Sequence, residues 1–106
     1  MLRGTEPIHP AFLRLSSLIE ELGADVTVEQ TGTTAQFFRG ARFAVLEPVS
    51  PTRLDLALVL PGAMPTDRLR PVEEAGLTHR VSLAHEDEID AELIGWLRDA
   101  YDAVAT

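Results

Sequence analysis

The chain has 106 residues, close to the commonest size of one domain, and its 45% apolar and 25% charged residues suit a globular chain rather than a disordered one. It has no cysteine, which excludes disulfides, thiolate nucleophiles and cysteine-based metal sites. A net charge of −8 disfavours nonspecific nucleic-acid binding, and all nine basic residues are arginine.

Residues 1–7 read as a flexible tail without the apolar run of a secretory leader. A helix is expected over residues 10–22. Pro10 suits its first turn, Phe12, Leu15, Ile19 and Leu22 form one apolar stripe, and Gly23 follows as a C-terminal cap. The period then changes from 3.6 to 2. Residues 25–29 alternate, with Val26 and Val28 on one side and Thr27 and Glu29 on the other. Residues 34–39 and 42–47 read as two further strands, the second with Phe43 and Val45 on one side. Residues 53–60 alternate most clearly, with Leu54, Leu56, Leu58 and Leu60 against Arg53, Asp55, Ala57 and Val59.

Residues 61–76 hold three prolines and two glycines and read as a loop, functional or merely loose, with Thr66-Asp67-Arg68-Leu69 as a single helical turn. Residues 77–83 form a fifth alternating strand. The acidic residues Glu86, Asp87, Glu88 and Asp90 then open a closing helix with Ile89, Leu93, Trp96, Leu97, Ala100 and Val104 as its stripe.

Short connections make the strands antiparallel. The expectation is therefore an α+β domain over residues 8–105: an N-terminal helix, an antiparallel sheet of about five strands and a C-terminal helix, with both helices on one face of the sheet. Its core would hold Phe12, Leu15, Ile19, Val26, Val28, Phe37, Phe43, Val45, Leu56, Leu58, Val81, Leu83, Leu93, Trp96 and Leu97. The longest apolar stretch, residues 54–60, contains Asp55 and is too short to cross a bilayer. With no cysteine, a cytoplasmic location and no membrane contact are expected.

The run Phe37-Phe38-Arg39-Gly40-Ala41-Arg42-Phe43-Ala44, the segments Arg53-Leu54-Asp55-Leu56 and Thr78-His79-Arg80-Val81, and the ending from Glu88 to Tyr101 resemble an uncharacterised bacterial domain family. That family is catalogued as a domain of unknown function, and some members carry a loose transporter label. More distantly, the layout is similar to YjbR-like (MmcQ-like) and YdhG-like proteins. The resemblance covers residues 10–104 and implies the helix–sheet–helix layout without a settled activity. Through the YjbR-like proteins it implies DNA binding, which the acidity of this chain opposes.

Alternation places Thr27, Glu29, Arg42, Arg53, Asp55, Thr78, Arg80 and Ser82 on the sheet face away from the helices. Arg42, Arg53 and Arg80, with Asp55 and Glu29 beside them, are the candidate ligand-binding residues, because guanidinium forks hold carboxylate or phosphate through paired bonds. The competing reading is cross-strand pairing, with Glu29 and Asp55 neutralising the arginines. His79 falls on the apolar side as a core histidine with one hydrogen bond. His9 and His85 stand at helix starts, and three isolated histidines do not make a zinc site. No nucleophile-elbow, calcium-loop or glycine-rich phosphate motif is present, so no catalytic, metal or cofactor residue is assigned. The sequence thus points to a non-enzymatic binding or interaction module. Its partner would be an unknown protein, a small anion or a second copy in a homodimer. The alternatives are a nucleic-acid-binding protein and an enzyme whose site assembles only in three dimensions.

Overall fold

The computed structural model describes residues 10–74 and 76–104. The tail and His9 lie outside them. The order is α1 (Pro10–Glu20), β1 (Thr27–Thr31), β2 (Thr34–Arg39), β3 (Ala41–Ser50), β4 (Arg53–Leu58), β5 (Arg70–Glu74), β6 (Leu77–Leu83), a 3₁₀ turn (Glu86–Glu88) and α2 (Ala91–Ala103). The strands form one sheet in the order β1-β2-β3-β4-β6-β5, every neighbouring pair antiparallel.

The sheet has six strands, one more than the sequence suggested. The extra one, β5, lies in the stretch read as a loop, where Pro71 hid it. Proline is excluded from central strands but tolerated at an edge, and β5 is an edge strand. Thr66 to Leu69 is not a helical turn. The Thr66 hydroxyl accepts from the backbone N–H groups of Arg68 and Leu69 at 3.2 and 2.9 Å, a side-chain-closed turn that leads into β5. The acidic run also divides: Glu86–Glu88 make the separate 3₁₀ turn, and α2 starts only after Asp90, whose carboxylate caps the Leu93 N–H at 3.0 Å.

Registry fixes the two faces. Ala35, Phe37, Ala44, Leu46, Leu54, Leu56, Leu58, Val81 and Leu83 are partners across the ladders and share one face. They are buried in a single cluster with Ala11, Phe12, Leu15 and Ile19 of α1 and Leu93, Leu97 and Ala100 of α2. Fully burying side chains of this size contributes about 1.5–3 kcal/mol each.

Two valines expected in that core lie outside it. The register of β2 against β3 slips, Phe37 opposing Ala44 while Phe38 opposes Arg42, so Phe43 is the extra residue of a β-bulge. The bulge lets both Phe43 and Ala44 be buried and turns Val45 to the other face, opposite Gln36 and Ala57. Val28 does share the face of Phe37, but it stands on edge strand β1 and is 41% exposed.

Gly23 has a different role from the left-handed cap its position suggested. It is absent from the positive-φ residues. A Cβ built on it would collide with the Tyr101 hydroxyl and lie 2.7 Å from Asp25 Oδ1, so glycine is required by close approach.

Leu56→Ala, at the centre of β4, should lower the unfolding free energy by about 2–5 kcal/mol. Val45→Ala on the opposite face should cost about 1 kcal/mol. Urea denaturation of the two variants checks the face assignment.

Candidate functional site

The face opposite the core carries the polar alternates of every strand. Across it runs one row of directly opposed residues: Glu29, Gln36, Val45, Ala57, Arg80 and Arg70. The next row holds Glu47, Asp55 and Ser82. Thr27 and Arg42 flank Phe38 toward the other end.

Asp55 is the centre of one corner. It is only 7% exposed, and an acid so buried needs compensating donors. Arg53 supplies a two-pronged contact, Nε to Oδ1 at 3.0 Å and Nη2 to Oδ2 at 3.1 Å. The Ser82 hydroxyl donates to Oδ1 at 2.7 Å. Arg80 Nε stands 4.0 Å from Oδ2, an ion pair too long for a hydrogen bond. The Asp55 bonds raise the Arg53 pKa above its already high value, so that guanidinium is permanently charged and held in orientation.

The five candidate residues therefore do not converge. Arg53, Asp55 and Arg80 come together and recruit Ser82. Arg42 lies near the opposite end of the face, where its Nη1 donates to Gln36 Oε1 at 2.9 Å. Glu29 is four strands from Arg80, about 19 Å at the usual strand spacing. Arg53 is neutralised by Asp55 of its own strand rather than across the ladder, and Glu29 is too distant to neutralise Arg80.

The site also has a member that sequence reasoning missed. Arg70 of β5 stands directly opposite Arg80. Its strand was hidden by Pro71, so no alternation pointed to it. Like charges directly opposed across a ladder are destabilising. Among the described side chains, the nearest carboxylate bonded to either is Asp55, already committed to Arg53.

Ser82 has an acid beside it but no base. His79 is on the other face, opposite Leu58, 6% exposed, with Nδ1 2.7 Å from the Thr78 hydroxyl. This geometry does not assemble a serine nucleophile with an imidazole. Among the described residues no three His, Asp or Glu groups gather as metal ligands. A shallow depression beside Leu60, Pro61, Gly62, Ala63 and Ala103 contains a single titratable group, Asp99, and so lacks an acid–base pair.

Two other arginine clusters serve the fold. Tyr101 donates to Asp25 Oδ1 at 2.6 Å, Arg39 Nε donates to Asp25 Oδ2 at 2.8 Å, and Arg39 Nη1 donates to the Tyr101 carbonyl at 3.1 Å. The guanidinium lies 3.8 Å from the Tyr101 ring centroid, and Phe43 meets that ring edge-on at 5.9 Å. Arg68 reaches Asp90 at 3.0 Å, Glu92 at 2.9 Å and the Glu88 carbonyl at 2.7 Å, pinning residues 61–69 to the start of α2.

The family profile described as Domain of unknown function (DUF5655) matches residues 2–104. The chain belongs to this family. No curated protein and no solved structure matches it. DUF5655 names no activity, so any role must be argued from the arrangement of the side chains. No helix of this DUF5655 domain is long and apolar enough, among the described residues, to cross a membrane.

The Tyr101 cluster has a defined pH signature. The Tyr101 hydroxyl and Arg39 hold the Asp25 carboxyl below its ordinary 3.8. A depressed acid contributes stability at neutral pH that disappears as pH falls through its folded value. Asp25→Asn should therefore melt below the wild type by a constant margin between about pH 5 and 8, with the gap closing below about pH 3.8. Melting curves across that range check it.

Proposed function

We propose that this DUF5655 domain is a non-enzymatic binding module whose polar sheet face receives an anionic group, with Arg53, Arg80 and Arg70 as its anchors. In this reading both helices cover the apolar face and leave the polar one to solvent. The observation that carries the reading is the direct opposition of Arg70 and Arg80, with Asp55, 4.0 Å from Arg80, the one carboxylate paired with either among the described side chains. A folded chain tolerates such a repulsion when a bound anion relieves it, and guanidinium forks match the oxygens of carboxylate and phosphate.

Asp55 supports the same reading. By taking two donors of Arg53 it orients the guanidinium, which then needs no reordering when a ligand arrives. Its own charge is offset by that pair, so the corner keeps the positive charge of Arg80 and Arg70. Arg42, at the far end of the face, would extend the contact when the anion belongs to a protein segment rather than a small ion. The net charge of −8 works against the DNA binding implied by similarity to YjbR-like proteins.

The test separates binding from folding. Arg70→Ala removes the like-charge opposition, so without ligand it should leave the unfolding free energy unchanged or slightly raised, by at most about 1 kcal/mol. The same substitution, and Arg80→Ala more strongly, should weaken binding of inorganic phosphate and of an acidic peptide, read from amide shifts of Asp55, Arg80 and Ser82. Binding by the wild type should itself weaken with added salt, and the difference between wild type and variants should shrink as the charges are screened. Shifts that are absent, or that persist unchanged in the Arg70→Ala/Arg80→Ala double variant, would remove this face as the site.

A further inference from the structure

The two edges of the sheet are built differently. At the β5 edge, Pro71 removes a donor and the register slips between Pro71 and Glu74, both devices that hinder addition of another strand. The β1 edge has neither. Thr27 to Thr31 pair with β2 in unbroken register, without proline or bulge, and all five residues are exposed.

Hairpin geometry shows which groups this edge offers. Gly32, at φ 61, opens a two-residue loop that makes Thr31 and Thr34 the closing hydrogen-bonded pair. Alternation then turns the backbone groups of Thr27, Glu29 and Thr31 toward β2, and those of Val28 and Gln30 outward. Val28 combines an outward N–H and C=O with a side chain on the apolar face that is 41% exposed.

We infer that β1 is a docking strand for a second copy of this chain, paired antiparallel about a twofold axis at Val28. Antiparallel self-pairing must oppose residues of the same face, so the axis falls on a residue. An axis at Glu29 sets that carboxylate against its own copy, which like charge penalises. An axis at Gln30 sets Val28 against Gly32 of the turn and leaves it uncovered. With the axis at Val28, the two valines oppose each other as a hydrogen-bonded pair. Glu29 then meets Thr27, and Gln30 meets Val26. The exposed valine gains an apolar partner, like charges are kept apart, and two six-stranded sheets become one. This surface is independent of the arginine corner. The contact is short and each copy carries −8, so the dimer is weak and tightens as salt screens the repulsion.

A chain without cysteine gives a direct test. Val28→Cys should form disulfide-linked dimers under mild oxidation, because a hydrogen-bonded antiparallel pair holds its Cα atoms about 5.5 Å apart, within disulfide range. Gln30→Cys, opposite Val26, should not. Val28→Pro removes an N–H that the β1–β2 ladder does not use. It should keep the circular dichroism and melting of the wild type while weakening the dimer by about tenfold or more in sedimentation equilibrium. Equal cross-linking at both cysteines overturns the register. A dimer insensitive to Val28→Pro, or a chain that stays monomeric at millimolar concentration in high salt, overturns the proposal and leaves the edge to an extended peptide of another protein.

Discussion

The period-2 alternation of β4 is the constraint on which the rest depends. Leu54, Leu56 and Leu58 point into the core while Asp55 and Ala57 point away, and β4 lies between β3 and β6, so its parity is imposed on both neighbours through the ladders. A one-residue slip would bury Asp55 among leucines and expose three core side chains, a cost no hydrogen bond could offset. The same register that closes the core thus brings Arg53, Arg80 and Ser82 around one carboxylate.

The helices and the irregular segment are tied to this sheet by ionic clamps. Arg39, at the end of β2, bonds Asp25 and the Tyr101 backbone, joining the α1–β1 connection to the last turns of α2. Tyr101 completes the ring, and its hydroxyl occupies the space a side chain at Gly23 would need. Arg68 does the corresponding work for the segment before β5, with Leu69 buried beside it. Each clamp is largely exposed and modest in energy. Their effect is to fix where elements begin, which the hydrophobic stripes alone leave loose.

The sequence was most informative where one physical signal acted alone. The limits of β2 and β6 could be read residue for residue from alternation, and the polar side of β4 and β6 was assigned correctly. It was misleading where two signals competed. Pro71 and Gly76 marked a loop, but proline is compatible with an edge strand, and edge position is a tertiary property that local pattern does not encode. The Phe43 bulge inverted the parity of the residues after it and sent Val45 to the polar face, and one extra residue in a ladder leaves no compositional trace. Val28 had the right parity but stands on an edge strand and is left 41% exposed. The candidate site shows the same division. The shared face of Arg53, Asp55 and Arg80 follows from alternation, whereas their separation from Glu29 and Arg42 depends on strand order, and Arg70 depends on the strand that proline concealed.

Six of the nine arginines can be sorted by what surrounds them. Arg14, Arg39, Arg53 and Arg68 each meet a carboxylate within hydrogen-bonding distance, at 3.2, 2.8, 3.0 and 2.9 Å. In an acidic chain that is the expected state, because carboxylates outnumber guanidinium groups almost two to one. Arg70 and Arg80 depart from it. They face each other on adjacent strands, and Arg80 reaches its nearest acid only at 4.0 Å. Chance placement on so negative a surface would favour an acidic neighbour for each. The proposed binding surface rests on this opposed pair, because the counter-charge that no described carboxylate supplies at hydrogen-bonding distance is one that a ligand can bring.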